Sequence, residues 1–333
     1  MDSCFGRFYS EEGCAPAHDG EIRETAMISI VTPTYNRDRT LSALFESLER
    51  QAFRDFEWIV VDDGSTDGTR ELCVGFAEIA DFPVRYLWQK NSGKHVAINA
   101  AAEEAHGEWF FIVDSDDCLT DASLETNARY LAQIENDPMF AGVSGACVRA
   151  DGSLLIGKCG EVVKDLSPEI QKRFFLEYID ATPRDFRGKF AMPGDRAEVV
   201  RTELVRRFPF PSFPGERFVS EFYLWQSISD MGLKLRWFNE PTYIAEYLDD
   251  GLTKNMRAIV RANPLGKSFV DNFTLASGVS MREKLHSAVN YTRYGRLGGK
   301  GVAELAWEAN SRLLFALGLP LALLTSIKED GSR

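Results

Sequence analysis

The chain has 333 residues, 44% of them hydrophobic and 26% charged, with a formal net charge of -12. That length and composition describe a globular chain able to bury a substantial core, and the acidic balance excludes a general nucleic-acid binder, which needs a basic surface. Six cysteines (Cys4, Cys14, Cys73, Cys118, Cys147 and Cys159) form no CxxC pair and no regular spacing; this argues against a zinc site or a disulfide framework and fits a reducing, cytosolic setting.

Residues 1–26 carry charges and glycines without an apolar h-region, so they read as a disordered tail rather than a secretory signal. Met27, directly before the first apolar run, offers a second start of translation. From there to Asn36 the chain reads as a short buried strand ending at the Thr32-Pro33 turn. Thr40 to Gln51 places Leu41, Leu44, Phe45 and Leu48 at helical spacing, with Thr40 as N-cap. Phe56 to Val61 is a second strand, and the Asp62-Asp63-Gly64-Ser65-Thr66-Asp67-Gly68 cluster makes a tight turn into a helix over Thr69 to Ala80. A strand over Val84 to Gln89 leads through Asn91-Ser92-Gly93-Lys94 to an alanine-rich helix from His95 to Ala105. Trp109 to Val113 is a fourth strand, buried on both faces.

The alternation predicts an α/β fold with a doubly wound, mostly parallel sheet and helices on both faces. Ligands of such sheets lie beyond the carboxyl ends of the strands, and four of those ends carry the polar stretches of an otherwise apolar half. The fourth, Asp114-Ser115-Asp116-Asp117, gathers three carboxylates in four positions. Such crowding is costly without positive charge; a hard divalent cation with oxygen ligands, manganese or magnesium, is its natural partner. The bland alternative is a solvated acidic turn.

Farther along, a helix is expected to Glu135 with Asp121 as N-cap, then a strand over Phe140 to Arg149 and a helical stretch over Glu169 to Tyr178. A strand follows at Glu198-Val199-Val200, and prolines make Phe208 to Phe213 a loop. Ser220-Glu221 opens a helix through Asp230; Leu233 to Tyr247 reads as two short strands around Glu240-Pro241, and Asp249-Asp250-Gly251 is a turn. Helices are then expected over Asn255 to Ala262, Ser280 to Tyr291 and Gly301 to Leu317. The domain reading is a tail (1–26), a catalytic domain (27–253, with a nucleotide half 27–120 and an acceptor half 121–253) and a helical C-terminal extension (254–333). The apolar run Leu313 to Leu324 is shorter than the roughly twenty residues that span a bilayer. With Arg293, Arg296, Lys300 and Arg312 nearby, it reads either as a helix lying in a membrane interface or as one docked on protein.

ISIVTPTYN, WIVVDDGSTDGT, NSGKHVAINAAAEEAHGEW and FFIVDSDD, in this order over residues 27–120, resemble the nucleotide-binding half of family 2 glycosyltransferases, inverting enzymes of the type A glycosyltransferase fold; the likeness extends through PGERFVSEFYLW and AEYLDDGLTKN, as in bacterial members that build surface polysaccharides. The resemblance implies a nucleoside diphosphate sugar donor, most often a uridine one, a saccharide or lipid-linked acceptor, and a metal bridging the diphosphate. By it, Asp63 holds the base, with Asp62 a turn residue, and Thr32, Pro33 and Tyr35 lie beside the nucleotide. Asp116 and Asp117 serve ribose and metal, with Asp114 in support. Lys94 either helps with phosphate or is a solvated first-turn lysine, and Asp195 either reaches the acceptor or caps a loop. Inversion requires a general base, and the family keeps it in an acidic motif at a helix start. Glu221 fits and Glu216 is its rival, although the family often has Glu-Asp adjacent and here Phe222 follows Glu221. Trp225 and Trp237 are candidates to stack on a sugar, and His95 reads as an ordinary polar residue near the nucleotide loop. Two rival activities are a nucleotidyltransferase, which wants a glycine-rich basic loop where Thr32-Pro33-Thr34-Tyr35 stands, and a silent sugar-nucleotide-binding subunit.

Overall fold

A computed structural model describes residues 28–155, 167–174, 176–245 and 252–325 of the chain. The expected N-terminal tail and the Asp249-Asp250-Gly251 turn lie outside the described residues.

The four expected strands form β1 (Ile28–Thr34), β2 (Phe56–Asp62), β3 (Val84–Trp88) and β4 (Trp109–Ile112), separated by α1 (Leu41–Glu49), α2 (Thr69–Ile79) and α3 (Lys94–Glu104). They pair in parallel in the order β3-β2-β1-β4. Successive side chains leave a strand on opposite faces, and both faces here are apolar. Ile28, Ile30, Trp58, Val60, Trp109 and Phe111 pack toward Leu41, Leu44, Phe45 and Leu48 of α1 and Cys73 and Phe76 of α2. Val31, Ile59, Val61 and Phe110 pack toward Ala97, Ile98, Ala101 and Ala102 of α3. A fully buried Leu or Phe contributes about 1.5–3 kcal/mol over exposure, so the double-sided sheet is the stabilising centre of the molecule.

Beyond β4 come β5 (Cys118–Leu119), α4 (Ser123–Leu131), β6 (Phe140–Val148), α5 (Pro168–Phe174), β7 (Tyr178–Ala181), α6 (Pro183–Arg187), β8 (Arg196–Arg201), α7 (Thr202–Arg207), α8 (Phe222–Asp230) and β9 (Lys234–Ile244). The sheet continues β4-β8-β6-β9-β5, with β7 also on β9. β8 runs antiparallel to both β4 and β6, while β6 and β9 are parallel. Hence the amino end of β8 and the carboxyl ends of β6 and β9 reach the edge where β1 to β4 end. That reversal decides which acidic residues face the site.

Several expectations are corrected. Thr40 stands at the N-cap of α1 but its side chain makes no cap bond, and α4 begins after Ala122, leaving Asp121 to pair with Arg50 at 3.0 Å. The helix expected over Glu169 to Tyr178 stops at Phe174, and Tyr178 joins β7 because it pairs with Phe238 of β9. β9 is one strand, not two. Pro241 lacks an N–H and stands at a register shift opposite Ala146, where the ladder is irregular and a proline is tolerated.

The C-terminal region comprises α9 (Leu252–Ala262), α10 (Pro264–Ala276), α11 (Met281–Leu297), α12 (Val302–Glu308) and α13 (Arg312–Leu324). α10 was not anticipated, and the helix expected over Gly301 to Leu317 is two. The Asn310 side chain and amide bond to Asn272, and the Ser311 hydroxyl caps α13 through the Leu314 amide, so local side-chain bonds win over helix continuation. These helices enclose a third cluster around Leu275, Tyr291, Leu305, Leu314 and Phe315.

Candidate active site

The strand ends open into a cleft of about 1170 Å³, lined from the parallel half by Pro33, Tyr35, Arg37, Asp63, Gly93, Lys94 and Asp114 to Asp117. The other half adds Asp195, Glu198, Glu221, Phe222, Trp225 and Tyr243.

The turn after β2 shapes the side of the cleft built by the parallel half. Asp62 is a turn residue as expected: its carboxylate accepts from the Ser65 amide (2.7 Å) and the Tyr86 hydroxyl (2.6 Å). Asp63 accepts from Gln89 Nε2 and from the Ser92 and Gly93 amides, each at 2.7 Å, and so fastens the loop after β3. Three of a carboxylate's roughly four acceptor positions are thereby used, leaving one on Oδ2. Gly93 has φ of 99°, and a Cβ there would come within 2.0 Å of the Arg217 carbonyl oxygen. Only glycine fits where this loop meets the backbone at Arg217. Thr32 is a correction. It is fully buried and its hydroxyl accepts from the Trp58 indole at 2.9 Å, so of the Thr-Pro pair only Pro33 lines the cleft.

Lys94 is not a solvated lysine. Its ammonium lies 2.6 Å from Asp114 and 2.8 Å from Glu221, joining the acidic turn to the start of α8. Burial acts to lower its pKa, but the two carboxylates outweigh that and hold it well above the ordinary lysine value. Glu221, at the N-cap of α8, is thus fixed in the cleft facing the acidic turn.

Oxygens of Asp114, Asp116 and Asp117 all lie within 4.8 Å of one another. The Tyr243 hydroxyl donates to Asp117 at 2.7 Å and accepts from the Asp114 amide at 3.0 Å, bracing both ends of the turn. Burial first, then Asp114, pushes the Asp116 carboxyl above its ordinary value; Arg37, at 3.7 Å, and Lys94 oppose the rise without cancelling it. A tight all-oxygen donor set of three carboxylates, whose charge Lys94 and Arg37 offset only in part, fits a hard divalent cation.

Glu216, the rival base, is corrected. It does not line the cleft, and its two carboxylate oxygens accept the Leu265 and Gly266 amides at 2.7 and 2.8 Å, capping α10. Trp237 touches the cleft but is buried, stacked on Phe186 at 3.9 Å, with its indole N–H donated to the Ala181 carbonyl. Trp225, half-buried, and exposed Phe222 offer aromatic faces to a ligand from the other half of the cleft, as exposed Tyr35 does from the parallel half. His95 is buried beside Phe210, and burial lowers its pKa to about 4, so it is neutral. Asp195 lines the cleft; its backbone amide, not its carboxylate, ties the loop to the Leu155 carbonyl, and burial raises the carboxyl while Arg187 opposes.

Glu198 and Tyr243 were missed in the sequence. Glu198 sits at the amino end of β8 and reaches the cleft only because that strand is reversed. Burial pushes its carboxyl up to about 7, with Arg187 opposing and Glu221 adding to the rise. A carboxyl raised in the folded state binds its proton more tightly than in the unfolded chain, so stability falls as pH rises from its ordinary value of 4.5 to about 7. Glu198→Gln is therefore expected to raise stability at pH 8 by about 1–3 kcal/mol and to leave it unchanged near pH 4. Urea melts at the two pH values read this, and a gain of equal size at both would refute it.

Residues 29–147 match the family described as Glycosyl transferase family 2. A GalNAc(5)-diNAcBac-PP-undecaprenol beta-1,3-glucosyltransferase of Campylobacter jejuni is 32% identical over 158 residues, 45% of this chain and 47% of that one. Among solved structures, TarS 1-349 of Staphylococcus aureus in complex with UDP-GlcNAc superposes with a TM-score of 0.53 at 18% identity, covering 89% of this chain and 79% of that one. The mannosyltransferase PcManGT of Pyrobaculum calidifontis, in complex with GDP-Man and Mn2+, gives 0.51 at 20% identity, covering 90% and 80%. These likenesses establish the type A glycosyltransferase fold. The chain spans 16–33% of the length of three other curated relatives, from Streptococcus pneumoniae and Staphylococcus aureus.

Proposed function

We propose that this chain, which carries a family 2 glycosyltransferase domain over residues 29–147, moves a sugar from a nucleoside diphosphate sugar, a uridine one by preference, to a saccharide or lipid-linked saccharide, with inversion. The observation that carries this reading is the convergence, in one cleft, of the Asp114–Asp117 turn, Asp63 and Glu221, joined by Lys94. The nucleotide-sugar ligands of TarS and PcManGT and the undecaprenol-linked acceptor named for the Campylobacter relative support it. The reading extends to a cytoplasmic site of action at the inner face of the membrane.

In this mechanism Asp63 offers its remaining acceptor position to the base, and Pro33 and Tyr35 flank the nucleotide. Asp116 and Asp117, with Asp114 in support, would hold manganese or magnesium, which as a Lewis acid offsets negative charge on the diphosphate. Lys94 orients Glu221 through its 2.8 Å contact. The acceptor hydroxyl oxygen bonds to the anomeric carbon from the side opposite the diphosphate; the bond to the diphosphate oxygen breaks, and the hydroxyl proton passes to Glu221. Trp225 and Phe222 offer apolar faces to the acceptor sugar, and Asp195 offers a hydrogen-bond acceptor.

Incubating the full chain with manganese, a panel of nucleotide sugars and saccharide acceptors tests this reading. Acceptor-dependent release of a nucleoside diphosphate is the expected result. Pyrophosphate release would replace the reading with nucleotidyl transfer, and binding without release would replace it with a silent sugar-nucleotide-binding subunit.

A further inference from the structure

The outer face of α13 has no partner among the described residues. Leu314, Phe315, Gly318 and Ala322 face inward, while Leu313, Leu317, Leu321 and Leu324, 54–84% exposed, form an apolar stripe at helical spacing. No charge interrupts the helix after Arg312. At its start Trp307 is 78% exposed, with the Arg312 guanidinium 5.3 Å from its ring centre, an amphipathic pair suited to a headgroup layer.

Two contacts give the direction of this stripe. Phe315 meets Tyr291, and Gly318 packs so closely on Ala288 that a Cβ there would lie 2.8 Å from the alanine's own. As α13 advances, its partner positions on α11 recede, so the helices are antiparallel and the Leu321–Leu324 end lies over the first turns of α11. Exposed Met281 and Leu285 stand on those turns, and Ser280 and Glu283 beside them line the cleft. The apolar stripe thus leads to the mouth of the cleft.

Charge separates this region from the rest of the chain. Residues 252–325 hold ten Lys and Arg against four Asp and Glu, in a protein whose net charge is -12. A region of net positive charge bearing an apolar helix face, with Arg312 at the start of that face and exposed Arg282 beside Met281, matches an anionic bilayer. No helix among the described residues is long and apolar enough to cross a membrane, so the fit is to a helix lying on the surface.

We propose that the outer face of α13, with Met281 and Leu285 of α11 and the exposed Arg282, Arg296 and Arg312, seats the chain on an anionic bilayer and turns the cleft mouth toward acceptors carried there on lipid. This rests on the transferase reading for its acceptor, and on the surface alone for its bilayer.

The test floats the full chain with vesicles of neutral phosphatidylcholine or of phosphatidylcholine containing about a third phosphatidylglycerol, beside Leu317→Glu/Leu321→Glu and Arg282→Glu/Arg296→Glu. Melting curves first establish that both variants fold; all four positions are exposed, so unchanged melts are expected. Recovery with anionic vesicles is expected to exceed that with neutral ones by roughly tenfold and to fall with salt. It should be lost in the leucine variant and cut severalfold in the arginine variant. Equal recovery of the leucine variant, or no flotation of the parent, would overturn the proposal. So would a concentration-dependent dimer abolished by the leucine variant, which would assign the face to a second copy of the chain. Donor turnover on a soluble acceptor, measured in parallel, separates the two readings. Turnover without flotation refutes only the bilayer seat, and flotation without turnover refutes only the transferase.

Discussion

Glu221→Gln is expected to lower acceptor-dependent turnover by about 10²–10⁴-fold, the usual worth of a general base, while leaving donor affinity intact. Gln keeps the length of the side chain and an oxygen that can accept from Lys94, 2.8 Å away in the parent, so the cleft should hold its shape. What is lost is the capacity to take the acceptor's proton as the new bond forms. The effect should therefore fall on kcat with acceptor present, whereas nucleotide-induced thermal shifts should match the parent's. Near-normal turnover would move the role to Glu198, the other carboxylate whose charge bears on Glu221 within the cleft. Glu216 does not compete, because both its oxygens are engaged at the start of α10.

Asp116→Asn should separate stability from function. Burial and Asp114 disfavour the charged form of Asp116 in the folded protein, so a neutral isostere relieves repulsion, and without metal the melting temperature should equal or exceed the parent's. The same change removes one anionic ligand from the three-aspartate set. Manganese-dependent stabilisation by a nucleoside diphosphate should then disappear, and turnover should drop by about 10³-fold or more, the several kcal/mol that a Lewis acid contributes at a developing charge. Retained manganese dependence in both assays would refute the assignment. A melting temperature well below the parent's would make Asp116 a structural residue instead.

How far the sequence reaches depends on whether a bond is local or crosses the chain. In residues 27–120 each site residue follows its own strand directly, and parallel strands joined by right-handed crossovers bring their carboxyl ends together by topology. Asp63, Lys94 and the Asp114–Asp117 turn could therefore be placed at one edge from strand periodicity and turn chemistry alone. Thr32 departs from the expectation for that same stretch. Period-two alternation sends Thr32 and Pro33 to opposite faces, and only packing against Trp58 shows which of them is turned from the cleft.

The chain beyond residue 120 is less legible because its decisive contacts join residues far apart. No local side chain caps α10; the cap is Glu216, 49 and 50 residues before the amides it binds. The same bonds hold both Glu216 oxygens at α10, outside the cleft lining. Glu198 came to the cleft through the reversed direction of β8, and Tyr243 through the pairing of β9 with β6, neither of which leaves a local pattern. The sequence by itself thus determined the parallel half of the sheet and its acidic turn, where backbone periodicity and turn residues act over a few positions. Tertiary structure alone decided the direction of β8 and the contacts that make Lys94 the link between Asp114 and Glu221, because strand order and ion pairing are settled by packing across the whole sheet.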